Sequence, residues 1–185
     1  MNNGVLKCEV QNVRKEDAIR AELFCLGGRF GSGQETADKH AIADQIRQIV
    51  RLEADIFPDP WSERAVTETC MQRQTAVFVL KDDKEKDPQK QILGYLILYF
   101  VLDEAEIVRI AVSCECRRCK GGTKLLDQLK QFSREQNISL WHLDVRKSNE
   151  AAICFYQNYG FAQDGLRKQF YDNPKEDAIL FSKQL

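Results

Sequence analysis

The stretch LDVRKSNEAAICFYQNYGF, residues 143–161, decides the fold of this chain. It joins the end of a predicted strand, residues 139–145, to a predicted helix that begins at its cap, Asn149. Side chains alternate between the two faces of a strand, so His142 and Asp144 share one face, opposite the apolar side chains. Polar groups on a buried strand cost free energy unless they are paired or functional; the alternative is a frayed strand end in water. His142 and Asp144 are therefore candidate functional residues.

Strands and helices alternate along the rest of the chain. Apolar, β-branched runs predict strands, and apolar residues at helical spacing predict helices. Pro58 and Pro60 end one helix, and Ser62 caps the next. The predicted strands cover residues 76–80, 92–101, 106–112, 139–145, 161–170 and 177–183, and the predicted helices residues 34–56, 63–72, 121–136 and 149–159. This order predicts an α/β fold of the α+β kind, with a mixed sheet flanked by helices. We expect a single domain whose secondary-structure pattern is clear over residues 41–185.

Residues 1–40 carry weaker patterns. We expect an edge strand over residues 7–13 and a short helix over residues 15–26. Segment 27–33 holds four glycines and is expected to be a flexible connection, because no Gly-Lys-Ser/Thr sequence follows it to bind phosphate. This N-terminal segment is therefore interpreted as a first strand and helix with an insertion.

Composition and charge exclude several classes of function. The 185-residue chain has 27 lysines and arginines against 28 aspartates and glutamates, so it lacks the basic excess of a nucleic-acid or membrane binder. The first residues do not resemble a signal peptide, and no apolar run approaches the roughly 20 residues needed to span a bilayer. We therefore expect a cytoplasmic protein whose ligands are neither nucleic acid nor membrane.

The seven cysteines are expected to be reduced thiols, because an odd number without a signal peptide does not suit a disulfide framework. Cys114, Cys116 and Cys119 have the one spacing that suits metal ligands. A tetrahedral site needs a fourth ligand, and His40 and His142 are both distant in sequence. We therefore favour free thiols in a loop and predict no metal.

A strand–turn–helix unit over residues 106–136 has the features of an anion site. The free backbone N–H groups and the dipole of a helix N-terminus point at the same place. A turn with Arg117, Arg118 and Lys120 leads into the glycines that open this helix. The turn therefore predicts a bound phosphate or pyrophosphate, with a solvated basic loop as the alternative.

Several motifs together resemble the GNAT acetyltransferases, and most closely the RimI-like alanine N-acetyltransferases. The resemblance covers residues 41–183, and its long C-terminal motif is highly specific. The motifs are Phe57-Pro58-x-Pro60-Trp61-Ser62, Ile92-Leu93-Gly94-Tyr95, Asp103-Glu104-Ala105-Glu106-Ile107, Arg109-Ile110-Ala111-Val112, Arg117-Arg118-x-x-Gly121-Gly122, the stretch from Leu143 to Phe161, and Arg167-Lys168-x-Phe170-Tyr171-x-x-Pro174-x-Glu176-Asp177-Ala178.

The resemblance implies a fold, a co-substrate and a set of site residues. Two neighbouring parallel strands splay apart in this family, and acetyl-CoA enters the gap between them. Asp144 falls where RimI-like enzymes usually have a glutamate as general base, and Tyr156 falls where they have the tyrosine that protonates the leaving thiolate. The positions implied to bind acetyl-CoA are Ile110, Ala111 and Val112 on the strand, Arg118, Cys119, Lys120, Gly121, Gly122 and Thr123 in the turn, and Asn149.

The implied reaction is acetylation of a protein N-terminus, most simply that of a ribosomal protein beginning with alanine. An α-amino group has a reference pKa of about 7.7–8.0 against about 10.4 for lysine, so its neutral form is cheaper to reach. Two alternatives remain: a GNAT enzyme acting on small-molecule amines, and a non-catalytic acyl-CoA-binding or partner-docking module.

Two departures from the family pattern bear on the site. Lys120 stands where the family loop has its first glycine, although a one-residue slip would make Gly121 the equivalent. Asp144 is one methylene shorter than glutamate, which favours a water relay and makes His142 a rival base. We predict Asp144 as the base.

Overall fold

The structure, a computed structural model, describes residues 18–26, 29–30, 39–116 and 119–185. The strands are β1 (Ile19–Leu26), β2 (Arg29–Phe30), β3 (Thr75–Asp82), β4 (Ile92–Val101), β5 (Glu104–Val112), β6 (Leu140–Arg146), β7 (Ala162–Asp172) and β8 (Lys175–Gln184). The helices are α1 (Lys39–Ile56), α2 (Glu63–Cys70), α3 (Gly121–Gln136) and α4 (Glu150–Tyr159). No helix among these residues combines the length and apolar character needed to span a membrane.

The strands form one mixed sheet in the order β2-β1-β3-β4-β5-β6-β8-β7. Within the described residues, β5 and β6 are its one parallel pair, and they are paired only from Glu104–Leu140 to Glu106–His142. Beyond these three pairs, β5 stays bonded to β4 and β6 to β8. The two central strands therefore splay apart, which confirms the predicted mixed sheet with splayed parallel strands.

A β-bulge at Val108 accompanies the separation of the two strands. Ile107 pairs with Leu98 and Arg109 pairs with Ile97, so Val108 is the extra residue on β5. A bulge bends its strand and shifts the alternation of side chains by one position. Ile107 accordingly packs in the core on one face of the sheet, whereas Ala111 packs in the core on the other face.

Each face of the sheet has its own hydrophobic core. On one face Leu125, Leu126 and Leu129 of α3 and Tyr156 of α4 lie in the same core as Leu143 and Val145 of β6. On the opposite face α1 and α2 bury their apolar stripes, chiefly Ile46, Ile49 and Val66, against β3 and β4. Burial of each large aliphatic side chain contributes about 1.5–3 kcal/mol to the stability of the fold. Helix packing therefore stabilises the sheet on both faces.

Most predicted elements are confirmed, with ends within about two residues. Ser62 caps α2 by accepting a hydrogen bond from the Ala65 N–H at 3.2 Å. Asn149 caps α4 in the same way through the Ala152 N–H at 3.1 Å. Residues 34–38 of the first predicted helix lie outside the described residues, and α1 is described from Lys39.

The predicted helix over residues 15–26 is wrong where the structure describes it. Residues Ile19–Leu26 form β1, which pairs with β3 antiparallel, and Arg29–Phe30, expected in a loop, form β2 beside it. Backbone pairing with the free edge of β3 outweighs local helix propensity, which is a weak preference. The strand predicted over residues 7–13 lies outside the described residues. The boundary at residue 40 stays a prediction; β1 precedes it and joins the same sheet.

The six cysteines within the described residues are free thiols, as expected. Cys116 and Cys119 are buried, and Cys114 is exposed. No three His, Cys, Asp or Glu side chains in this part of the chain come together as metal ligands.

Candidate active site

The cleft between the separated halves of β5 and β6 holds the predicted strand positions. After Glu106, β5 has hydrogen-bonded strand pairs only with β4, so from Ile107 to Ala111 its other edge faces the gap. Unpaired strand edges are backbone donors and acceptors available to a ligand. Ile110 and Ala111 lie along this edge, and Val112 ends the strand.

The start of α3 lies at the end of β5 and lacks a side-chain cap. The N–H groups of Gly121, Gly122 and Thr123 have no partner among the described residues, since the first helical bond runs from Lys124 to the Lys120 carbonyl at 2.9 Å. Such a helix terminus attracts anions through its free N–H groups and its dipole. Arg118, which was also predicted to bind the phosphate groups, lies outside the described residues.

Both glycines of this turn are required by close packing. A Cβ on Gly121 would lie 2.8 Å from Leu80 Cδ2 and 3.0 Å from Val112 Cγ1. A Cβ on Gly122 would lie 2.9 Å from Phe155 Cζ, so α3 and α4 approach closely beside Tyr156. The glycines therefore set the distance between the α3 terminus, β5 and α4.

Lys120, the residue before α3, has a left-handed backbone with φ of 54°. That conformation costs a non-glycine residue about 1–2 kcal/mol, and glycine is its usual occupant. Lys120 therefore has the left-handed backbone conformation that a glycine would adopt, at the position where the GNAT loop motif has its first glycine.

Asp144 lies on the α1/α2 face of β6, with 19% of its side chain exposed. It accepts a hydrogen bond from Arg167 Nη1 at 3.0 Å. Burial raises the pKa of Asp144, while the positive charges of Arg167 and His142 oppose this rise. The predicted rival, His142, lies two residues back on the same face with its Nε2 3.7 Å from a Glu104 carboxylate oxygen.

Tyr156 lies on α4, in the core on the opposite face of the sheet. Its ring packs against Phe155, Phe161 and Phe181. Burial raises the pKa of Tyr156, and the nearby Tyr171 phenol raises it further. Its hydroxyl makes no hydrogen bond to any of the described residues. A buried phenol with a raised pKa stays protonated at neutral pH and can donate a proton.

The cleft thus connects a carboxylate on one sheet face with a phenol on the other. One ligand can approach from the α3 terminus and a second from the side of α1 and α2. The arrangement can remove a proton from a nucleophile at Asp144 and supply one to a leaving group at Tyr156. This is the pair of proton transfers that acyl transfer between two bound substrates needs.

The acetyltransferase (GNAT) family model matches residues 46–161, more than half of the chain. The chain belongs to the GNAT family. The prediction of an acetyltransferase, and with it that of an enzyme, is therefore confirmed. The matched region runs from the middle of α1 to the second residue after α4 and includes both walls of the cleft.

Similar proteins of known name act on a ribosomal protein. The [ribosomal protein bS18]-alanine N-acetyltransferase of Salmonella typhimurium is 32% identical over 126 residues, covering 66% of this chain and 80% of the relative. That of Haemophilus ducreyi is 30% identical over 147 residues, covering 78% and 97%.

Solved structures agree with the fold. The ribosomal-protein-alanine N-acetyltransferase of Escherichia coli superposes with a TM-score of 0.66 at 25% identity, over 89% of this chain and 93% of that one. NAA60 of Arabidopsis thaliana, in complex with acetyl-CoA, has a TM-score of 0.72 at 14% identity, over 90% and 98%. The second likeness shows the shared GNAT fold.

Sequence reasoning missed an ion pair buried beneath the cleft of this GNAT enzyme. Glu53 of α1 is 0% exposed and accepts two hydrogen bonds from Arg109, at 2.9 and 3.1 Å. The same carboxylate accepts the Tyr95 hydroxyl and, at 2.8 Å, the backbone N–H of Trp61. A charged residue on the apolar face of a predicted helix, and another on an apolar strand, were the signals that could have revealed the pair.

Arg109 extends this network to the loop between α1 and α2. Its guanidinium lies 3.9 Å from the centre of the Phe57 ring and donates to the Asp59 carbonyl at 2.7 Å. The Asp59 carboxylate lies 3.8 Å from Arg146 at the end of β6. Arg146 in turn stacks over Tyr171, whose pKa is raised to about 12 chiefly by burial.

The network therefore joins three parts of the cleft rim: the α1–α2 loop, the end of β6 and the β7–β8 hairpin. Arg146 also donates to the carbonyls of Asn173 and Pro174 in that hairpin, at 2.9 and 3.1 Å. Glu176 pairs with Arg146 at 3.5 Å, and its hydrogen bond from Ser148 lowers the pKa of the Glu176 carboxyl. The rim facing Asp144 is thus cross-linked by polar contacts.

Proposed function

We propose that this enzyme transfers the acetyl group of acetyl-CoA to the N-terminal α-amine of a protein, a ribosomal protein beginning with alanine. The observation that carries the proposal is the cleft between β5 and β6, with Asp144 on one face and Tyr156 on the other. Acceptor and acyl donor can meet there from opposite sides, without a covalent enzyme intermediate. A ribosomal acceptor also implies action in the cytoplasm.

The chain's own residues fit acetyl-CoA. The free N–H groups of Gly121, Gly122 and Thr123 suit its pyrophosphate, aided by Lys120 and Arg118. The free edge of β5 at Ile110 and Ala111, together with Val112 at the end of the strand, suits the amide-bearing arm and the acetyl carbonyl. Cys119, just before the α3 turn, and Asn149, the cap of α4, complete the proposed binding residues, and no metal is invoked.

Asp144 is proposed to remove the proton of the acceptor amine. Bound acetyl-CoA supplies an acetyl thioester, and in the transfer a C–N bond forms while a C–S bond breaks. Since Arg167 holds one oxygen of Asp144, a single water between the carboxylate and the amine is the proposed route. The raised pKa of Asp144 makes it a stronger base than an exposed aspartate.

Tyr156 is proposed to deliver a proton to the departing sulfur. Its hydroxyl is protonated at neutral pH, since the ordinary pKa of a phenol is about 10 and burial raises it further. The neighbouring aromatic rings exclude water, so a proton from this phenol competes with little solvent.

A protein N-terminus is favoured over a small amine by the named substrates of the relatives. The acceptor chemistry agrees, because a neutral α-amine is about 3.4 kcal/mol cheaper to reach than a neutral lysine side chain. The aspartate, shorter by one methylene than glutamate, is compatible with an amine held at the distance of one water.

The experiment that tests the proposal measures CoA release with acetyl-CoA and a panel of acceptors. Peptides beginning with alanine should be acetylated at the α-amine, as mass spectrometry of the product can locate. Asp144→Asn should lower kcat/KM by roughly 10²–10⁴-fold, whereas the control His142→Gln should cost far less. Turnover with small amines but with no peptide would refute the acceptor class, and the reverse order of the two variants would move the base to His142.

A further inference from the structure

Helices α3 and α4 are joined at two points. At the first, the Phe155 ring lies so close to Gly122 that a Cβ there would be 2.9 Å from Phe155 Cζ. At the second, the Tyr159 hydroxyl donates a hydrogen bond to Asp127 Oδ1 at 2.8 Å. Along α3 the two points are separated by about 7.5 Å, at about 1.5 Å per residue. Two separate contacts fix the orientation of one helix on the other, whereas a single contact would act as a pivot.

The ring of Tyr159 is held separately from its hydroxyl. It stacks on the buried Trp141 of β6, with ring centres 6.5 Å apart and planes inclined by 16°. Trp141 in turn donates from Nε1 to the Ser133 hydroxyl of α3 at 2.9 Å. Burial and the adjacent Asp127 carboxylate raise the pKa of the Tyr159 phenol, so its hydroxyl remains a donor at neutral pH. Removal of the hydroxyl alone therefore breaks the link to Asp127 and leaves the ring packed.

The two contacts lie on either side of Tyr156 in the sequence of α4. Gly122, in the first contact, also belongs to the uncapped terminus of α3 that suits the pyrophosphate. The position of the Tyr156 hydroxyl relative to a donor bound at this terminus therefore depends on how α4 lies against α3. Proton transfer requires heavy atoms about 2.6–3.2 Å apart, and a misplacement of about 1 Å can cost roughly 100-fold in rate.

We propose that Asp127 and Tyr159 are positioning residues, whose hydrogen bond sets the distance between the Tyr156 hydroxyl and the sulfur of the bound thioester. The inference rests on the proposed function, since it takes Tyr156 to give its proton to that sulfur. Asp127 and Tyr159 act only through Tyr156. Without their hydrogen bond, α4 can pivot about the contact at Gly122, and the Tyr156 hydroxyl moves away from the position that proton transfer needs.

The test measures single-turnover rates of CoA release and the KM for acetyl-CoA. Because Asp127 is exposed, its hydrogen bond is modest, and Tyr159→Phe should lower the rate about 3- to 10-fold with less than a twofold change in KM. Asp127→Ala should have the same effect, whereas Asp127→Asn keeps an acceptor oxygen and should retain most of the rate. Gln131→Ala is the matched control, since it removes an exposed hydrogen bond to Glu135 within α3, at 3.2 Å, and should leave the rate unchanged.

A double-mutant cycle with Tyr156→Phe distinguishes positioning from a general loss of structure. In the Tyr156→Phe background Tyr159→Phe should have no further effect on the rate, because no hydroxyl is left to position. The same fold-loss in both backgrounds, or no loss in the wild-type background, would overturn the inference while the acid role of Tyr156 stands. An unchanged rate in Tyr156→Phe alone would refute that acid role and this inference with it. Transfer only to small amines would refute the proposed acceptor, and the cycle measured on such an amine would still test the positioning.

Discussion

Removal of Glu53 should destabilise this protein more than any surface change, because the residue neutralises a nearly buried arginine. Glu53 is 0% exposed and Arg109 only 13% exposed. With Glu53→Met, Arg109 keeps its hydrogen bond to the Asp59 carbonyl, but its remaining counter-charge among the described residues is the more distant Asp59 carboxylate, at 3.9 Å. Breaking one side of a buried ion pair costs about 3–5 kcal/mol, so we expect a loss of that size in the free energy of unfolding.

A double-mutant cycle separates this interaction from side-chain size. Arg109→Met should cost a similar amount, since it leaves the Glu53 carboxylate buried without its cation. The double variant should be more stable than the sum of the two losses predicts, by about 2–3 kcal/mol, because two apolar side chains then pack together. Urea unfolding followed by circular dichroism gives each free energy, and an unchanged m-value excludes a change in the unfolded state.

The exposed pair Arg64–Glu68 provides the matched control. Its N–O distance is 2.7 Å, as short as that of the buried pair, yet Arg64 is 85% exposed. Its cycle should give a coupling below about 0.5 kcal/mol. Equal couplings in the two cycles would refute the reasoning, because burial would then have no part in the strength of the pair.

Three further predictions concern the cleft. Gly122→Glu should abolish CoA binding in calorimetry, because it places a carboxylate at the α3 terminus. Gly122→Ala is the control, since its Cβ meets Phe155 in the same way but carries no charge. An equal loss of affinity in both variants would refute an anion site at this terminus. Tyr156→Phe should lower kcat much more than it changes KM for acetyl-CoA, and an unchanged kcat with chemistry rate-limiting would make this phenol a core aromatic only. Burial raises the pKa of Asp144 above its value of about 3.9 in the unfolded chain. The wild type should therefore lose stability relative to Asp144→Asn as the pH rises from about 3.5 to about 6.5. Urea titrations across this range measure the difference in the free energy of unfolding, and a constant difference would contradict the raised pKa.

Local sequence patterns were enough to predict most elements and the family. Apolar runs, caps and prolines act over a few residues, so α3 over Gly121–Gln136 and β4 over Ile92–Val101 could be predicted to the residue. The alternation in β6 likewise predicted that Asp144 and His142 share a face, and the structure confirms it through their pairing with Leu180 and Ser182 of β8. The roles of both residues stay predictions.

Long-range contacts decided the remaining features. β1 is a strand because β3 offers it a free edge, a fact that no pattern within residues 19–26 contains. Arg167 lies against Asp144 although 23 residues separate them, and Glu53 meets Arg109 across 56 residues. The bulge at Val108, which turns Arg109 toward Glu53, depends on the register with β4.

The sequence by itself therefore determined the order of elements, the uncapped glycine turn and the family. Only the tertiary structure decided where the central strands part, which faces Asp144 and Tyr156 occupy, and which charges oppose each other. The physical reason is range: caps, turns and periodicity are satisfied within one element, whereas registers and buried ion pairs are free-energy balances between elements distant in the chain.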